Sequence, residues 1–89
     1  MVRVIMHGCN GKMGKNIVNL LANDTQAQIV AGIDAFDEGK NSFPVFSSIS
    51  ECTVEADVII DFSIAKAVDA LLDYCVEKQV PVVLCTTGL

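Results

Sequence analysis

The chain has 89 residues, of which 52% are hydrophobic and 19% are charged. This composition excludes a disordered tail, and no hydrophobic run reaches the roughly 20 residues that a membrane-spanning helix needs. The net charge of −5 argues against a surface for nucleic acids or anionic membranes. We therefore expect one soluble, cytoplasmic domain with no nucleic-acid partner and no membrane partner.

Strand-like and helix-like segments alternate along the chain. A β-prone run at 2–6 ends in a glycine-rich turn, and 12–22 has helical periodicity with Met13, Ile17, Leu20 and Leu21 on one face. The pattern then predicts a strand at 28–33, a loop at 35–42, a short strand at 43–46, a helical turn within 47–55, a strand at 57–62, a helix at 65–77 and a strand at 81–86.

Hydrophobic strands separated by helices predict an α/β fold with a parallel sheet covered on both faces. Right-handed crossovers favour the spatial order 3-2-1-4-5, a doubly wound sheet. Because the sequence stops just after the fifth strand, we expect residues 1–89 to be an incomplete domain, truncated before a substrate domain. The four cysteines and the single histidine have no metal-ligand spacing, so no metal site is predicted.

Three glycines, Gly8, Gly11 and Gly14, lie between the first strand and the first helix. Such a turn brings the backbone close to a diphosphate, and the amides and dipole of the helix N-terminus favour the anion. The alternative is a tight turn with no ligand. His7, just before the turn, is interpreted as structural because no acid or nucleophile in the sequence pairs with it.

Asp34 ends the second strand, 20 positions beyond Gly14, where a carboxylate accepts the hydroxyls of the adenosine ribose. The alternative is a solvated aspartate in a turn. A carboxylate there repels a 2′-phosphate, which favours NAD(H), whereas Lys12 and Lys40 could offset that repulsion and leave NADP(H) open.

Further candidates follow the later strands. Phe62 and Ser63 come after the fourth strand, and Cys85, Thr86 and Thr87 come after the fifth. The carboxyl ends of parallel strands meet at one edge of the sheet, which is where ligands bind. Ser63 has a compatible alternative role as the N-cap of the next helix.

The run GCNGKMG at 8–14, DFS at 61–63 and TTG at 86–88 together resemble the N-terminal portion of the dihydrodipicolinate (4-hydroxy-tetrahydrodipicolinate) reductase family of lysine and diaminopimelate biosynthesis. The resemblance covers 4–88. It implies that Asp34 holds the adenosine ribose and that the residues after the fifth strand border the nicotinamide. It also implies a set of residues around the diphosphate: Gly8, Cys9, Asn10, Gly11, Lys12 and Met13. The family usually has Arg at the position of Lys12 and Gly at that of Cys85.

The resemblance further implies NAD(P)H-dependent reduction of a cyclic dicarboxylate by a complete enzyme that forms a homo-oligomer. Its catalytic residues are expected in a C-terminal domain, so this chain alone is expected to be inactive. Two alternatives remain open, since a fold does not determine a function. One is a non-catalytic, nucleotide-sensing Rossmann module, and the other is a different NAD(P)-dependent dehydrogenase.

Overall fold

The computed structural model describes residues 2–34, 42–62 and 68–84. Its strands are β1 (Val2–His7), β2 (Ala27–Ile33), β3 (Val45–Phe46), β4 (Val58–Asp61) and β5 (Val82–Leu84), and its α-helices are α1 (Lys12–Leu21) and α2 (Val68–Lys78). A 3₁₀ turn spans Ile49–Glu51. Within these described ranges, no helix is long and apolar enough to cross a membrane.

The five strands form one parallel sheet in the order β3-β2-β1-β4-β5, which confirms the predicted doubly wound topology. Hydrophobic runs in the central strands explain why the sheet is covered on both faces. The core joins strand residues to the 3₁₀ turn and α2. Its buried members are Ile5, Ala31, Ile33, Ile49, Cys52, Ile59, Leu71 and Cys75.

Both helices end at features that the backbone chemistry explains. After α1, the Asp24 carboxylate accepts the backbone N–H groups of Gln26 (2.6 Å) and Ala27 (3.0 Å), which turns the chain into β2. After α2, Gln79 adopts a left-handed φ of 57°, and the Val80 N–H donates to the Cys75 carbonyl at 3.0 Å. That is the bond of a Schellman motif, with glutamine where glycine is usual.

The orientation of α1 differs from the prediction. Met13 is 50% exposed and Leu20 is 74% exposed, so the inward face predicted from the periodicity is wrong at these two positions. The helix instead approaches the sheet through Gly14, its one buried residue. The half-buried side chains that share the face of Gly14 are Ile17, Val18 and Leu21. Periodicity alone missed this rotation because a glycine carries no hydrophobic signal.

Candidate functional site

The carboxyl ends of three neighbouring strands bring the predicted site residues to one edge of the sheet. His7, the last residue of β1, is in register with Ile33 of β2 on one side and with Asp61 of β4 on the other. The glycine turn therefore lies between Asp34 and Phe62, whose backbone N–H donates to the His7 carbonyl at 3.0 Å. This edge includes the point where the strand order reverses, the position at which doubly wound sheets bind ligands.

The glycine turn is anchored to β2 by its own backbone. Gly8 has a φ of 86°, a left-handed conformation that favours glycine. Its N–H donates to the Ile33 carbonyl at 2.6 Å, and its carbonyl accepts the Gly11 N–H at 3.2 Å. Gly8 is thus the residue at which the chain turns sharply.

Gly14 allows the helix to pack directly on this turn. An added Cβ at Gly14 would fall well inside the contact distance of the Gly8 carbonyl oxygen, and it would lie 3.0 Å from two backbone carbons of Cys9. An added Cβ at Gly11 would be 3.4 Å from the same oxygen, an ordinary contact. The third glycine therefore serves helix packing, whereas the second leaves the outer surface of the turn open.

The N-terminus of α1 suits an anion. Gly11 is its N-cap, with no side-chain hydrogen bond to the helix, and the first turn contains no acidic residue. The first amides of any helix lack intrahelical acceptors and carry the positive end of the helix dipole. Gly11, Lys12 and Met13 are all exposed, so a diphosphate could reach the amides of Lys12 and Met13 without displacing a side-chain cap.

The Asp34 carboxylate is hydrogen-bonded to the glycine turn. Asp34 is half-buried, and its backbone N–H donates to the Phe46 carbonyl at 3.0 Å. Its Oδ2 accepts the backbone N–H of Asn10 at 3.0 Å. The carboxylate is therefore bonded to the middle of the glycine turn, an arrangement that the sequence spacing did not indicate.

Cys9 is fully buried and its side chain packs against β2. An added Cβ at Gly32 would lie 2.6 Å from the Cys9 sulfur and 2.6 Å from a ring carbon of Phe43. The absence of a side chain at Gly32 leaves the space that the thiol and the ring fill. The Cys9 thiol therefore points into the protein, and its backbone N–H donates to the Ile33 carbonyl at 3.4 Å.

His7 and Asp61 form a buried pair at the carboxyl ends of β1 and β4, which was not predicted from the sequence. His7 Nδ1 lies 2.9 Å from Asp61 Oδ1, and the two residues are 4% and 0% exposed. The expectation that no acid pairs with His7 is wrong, because strand register places the two residues side by side. The predicted order 3-2-1-4-5 makes β1 and β4 neighbours, but it does not give the register that pairs His7 with Asp61.

Four predicted site residues lie outside the described residues. They are Ser63, Cys85, Thr86 and Thr87. Among the other predicted residues, the structure brings the turn at 8–13, Asp34 and Phe62 to the same edge.

At the amino ends of β1 and β4, opposite the candidate site, Arg3 and Asp57 form an ion pair. The backbone N–H of Arg3 donates to Asp57 Oδ2 at 2.8 Å, and its guanidinium lies 3.3 Å from Oδ1. These hydrogen bonds lower the pKa of Asp57 and raise that of Arg3. A cavity of about 530 Å³ opens beside this pair, with Tyr74 and Lys78 in its wall. Among residues 2–34, 42–62 and 68–84, no predicted site residue lines it.

Comparison with known proteins identifies the family. Residues 2–89 match the family model for the N-terminus of dihydrodipicolinate reductase. The chain belongs to the dihydrodipicolinate reductase family. This confirms the resemblance seen in the three motifs, and the Rossmann-like topology agrees with it.

Individual relatives agree with this family assignment. The 4-hydroxy-tetrahydrodipicolinate reductases of Clostridium novyi (strain NT) and Clostridium tetani (strain Massachusetts / E88) are 50% and 46% identical over 99% of this chain. A solved dipicolinate-bound dihydrodipicolinate reductase from Paenisporosarcina sp. TG-14 superposes with a TM-score of 0.78 at 26% identity over 94% of the chain. The chain spans 35%, 34% and 37% of these three proteins, about a third of each.

Proposed function

We propose that this chain is the part of a dihydrodipicolinate reductase that binds the nicotinamide dinucleotide. The observation that carries the proposal is the uncapped N-terminus of α1 behind a glycine turn, with the Asp34 carboxylate bonded to that turn. Family membership supplies the reaction class. When bound, the reduced nicotinamide supplies a hydride, and the residues of this chain would bind and orient the dinucleotide.

The glycine turn would hold the diphosphate. Gly8 through Met13 would surround it: the bonded amides of Gly8 to Gly11 shape the turn, and the amides of Lys12 and Met13 stand at the positive end of the helix dipole. The Lys12 ammonium adds a charge that complements the phosphates. The outer surface at Gly11 has room for a close approach, since an added Cβ there meets only one ordinary contact. The residues of the glycine turn therefore fit a bound diphosphate.

Asp34 would select the ribose. Its carboxylate stands at the end of β2, where it can accept the two adenosine ribose hydroxyls. A 2′-phosphate at the same place would meet a like charge, so we propose that NADH binds more tightly and that NADPH is tolerated. The nicotinamide would extend towards Phe62 and Ser63 and towards Cys85, Thr86 and Thr87.

The substrate of the complete enzyme would be a cyclic dicarboxylate imine of lysine and diaminopimelate biosynthesis. The family name and the dipicolinate bound to the Paenisporosarcina reductase support this class. Following the family resemblance, we also propose that the complete enzyme is a homo-oligomer. For this chain by itself we propose self-association, because Val83 and Leu84 on β5 are 51% and 42% exposed and a strand edge with apolar side chains favours pairing with another chain.

Calorimetric titration of the chain with NADH, NADPH and ADP tests the proposal. We expect NADH to bind, NADPH to bind more weakly and ADP more weakly still. Gly11→Val puts a branched side chain on the open surface of the turn, so we expect it to abolish NADH binding and to leave the circular dichroism spectrum unchanged. Asn19→Val, at an exposed position further along α1, is the matched control and should bind as the parent chain does.

Two results would contradict the proposal. If Gly11→Val binds NADH as well as the parent chain does, the glycine turn does not hold the diphosphate. If ADP binds as tightly as NADH, the nicotinamide half adds nothing, and a nucleotide-sensing module becomes the better interpretation.

A further inference from the structure

The Asp34 carboxylate joins two parts of the site that are separate in the sequence. Asp34 follows β2, and its backbone is tied to β3 through the bond to the Phe46 carbonyl. Its Oδ2 reaches across to the Asn10 N–H, which lies in the turn that follows β1. The two residues are 24 positions apart, and all of α1 and β2 lies between them, so this hydrogen bond is a tertiary contact.

The bond acts on the part of the turn that a diphosphate must approach. Gly8 and Cys9 are already held by the Ile33 carbonyl, and α1 begins just after Gly11. Asn10 stands between these two anchored parts, and its amide direction is set by the carboxylate of Asp34. A hydrogen bond from a backbone N–H to a carboxylate is one of the stronger kinds.

A carboxylate can accept several hydrogen bonds at once. Its two oxygens offer about four lone-pair directions, so the bond to the Asn10 N–H does not by itself prevent Asp34 from accepting a diol. The same group can therefore orient the turn and contact the ribose.

Resting on the proposed function, in which Asp34 contacts the ribose, we propose that Asp34 is also a positioning residue for the diphosphate turn. The preference between NADH and NADPH and the affinity for both dinucleotides then depend on the same residue. Removing the charge shifts preference towards NADPH, but both dinucleotides lose affinity unless the replacement still accepts the Asn10 N–H.

Asp34→Asn and Asp34→Ala separate the two roles. Both remove the charge that repels a 2′-phosphate, and only asparagine keeps an oxygen within reach of Asn10. We expect both variants to raise the NADPH-to-NADH affinity ratio. We also expect Asp34→Ala to bind inorganic pyrophosphate, which has no ribose, about three- to tenfold more weakly than Asp34→Asn does. Equal pyrophosphate affinity in the two variants would overturn the proposal.

A second measurement needs no dinucleotide. In ¹⁵N-labelled, ligand-free chain, we expect the Asn10 amide resonance to shift strongly in Asp34→Ala and little in Asp34→Asn. Asp24 supplies the matched control, because its carboxylate also accepts backbone N–H groups but in the turn before β2. Asp24→Ala should leave the Asn10 resonance and the pyrophosphate affinity unchanged.

The outcomes distinguish this proposal from the proposed function. If the Asn10 resonance responds as expected and no dinucleotide binds, the positioning role stands and the proposed function fails. If dinucleotides bind normally and the Asn10 resonance is the same in Asp34→Ala and Asp34→Asn, the positioning role is refuted and the proposed function stands.

Discussion

Gly14→Ala tests the claim that α1 packs directly on the glycine turn. In an ordinary helix interior this substitution stabilises a protein by about 1 kcal/mol, because alanine is the better helix former. Here the added Cβ would collide with the Gly8 carbonyl oxygen and press on two backbone carbons of Cys9. All three atoms belong to the backbone, so no side chain can rotate away to make room.

The expected magnitude follows from these opposing effects. Overpacking by one methyl group typically costs about 1–3 kcal/mol, and a clash with anchored backbone belongs at the upper end of that range. Gly8 is anchored, since its N–H donates to the Ile33 carbonyl at 2.6 Å. After subtraction of the helix-propensity gain, we expect the free energy of unfolding to fall by about 2 kcal/mol. For a chain of this size, the melting temperature should then fall by about 8–16 °C.

Urea denaturation followed by circular dichroism measures this loss, with Gly11→Ala as the matched control. The control adds the same methyl group three residues earlier, at an exposed position with only an ordinary contact. We expect its free energy of unfolding to stay within about 0.5 kcal/mol of the parent value. If Gly14→Ala loses no more stability than Gly11→Ala, the helix does not pack as described and the reasoning fails.

Three further predictions concern stability. Asp61→Ala leaves buried His7 without this partner and should lower the free energy of unfolding by about 3–5 kcal/mol. Asp61→Asn keeps an acceptor for His7 and should lower it by about 1–2 kcal/mol. Urea denaturation measures both changes. Arg3 lowers the pKa of Asp57, so the stabilisation by that carboxylate is present above about pH 4 and is lost as the pH falls through the folded-state pKa. The difference in urea midpoint between the parent chain and Asp57→Asn should therefore shrink between pH 7 and pH 3. Gln79→Gly removes the penalty of a left-handed φ and should stabilise the chain by about 1 kcal/mol, as calorimetry would show.

Much of the fold could be predicted from the sequence because its determinants are local. Runs of hydrophobic residues define the strands, and the spacing of Gly8, Gly11 and Gly14 between a strand and a helix indicates the turn. The order of the strands then follows from the handedness of crossovers, which does not depend on side-chain detail. The position of Asp34 at the end of the second strand likewise predicted that it lies at the same edge of the sheet as the glycine turn, to which it is bonded.

Contacts between side chains depended on tertiary structure. His7 and Asp61 are 54 positions apart, and their pairing requires the register between β1 and β4, which no local pattern encodes. The bond between Asp34 and the Asn10 amide likewise depends on how closely two strand ends approach. Periodicity finds hydrophobic faces, but the close approach of α1 at Gly14 is set by the absence of a side chain. Local sequence determined which elements form and in what order, whereas the distances that decide the chemistry of the site arise only when those elements pack.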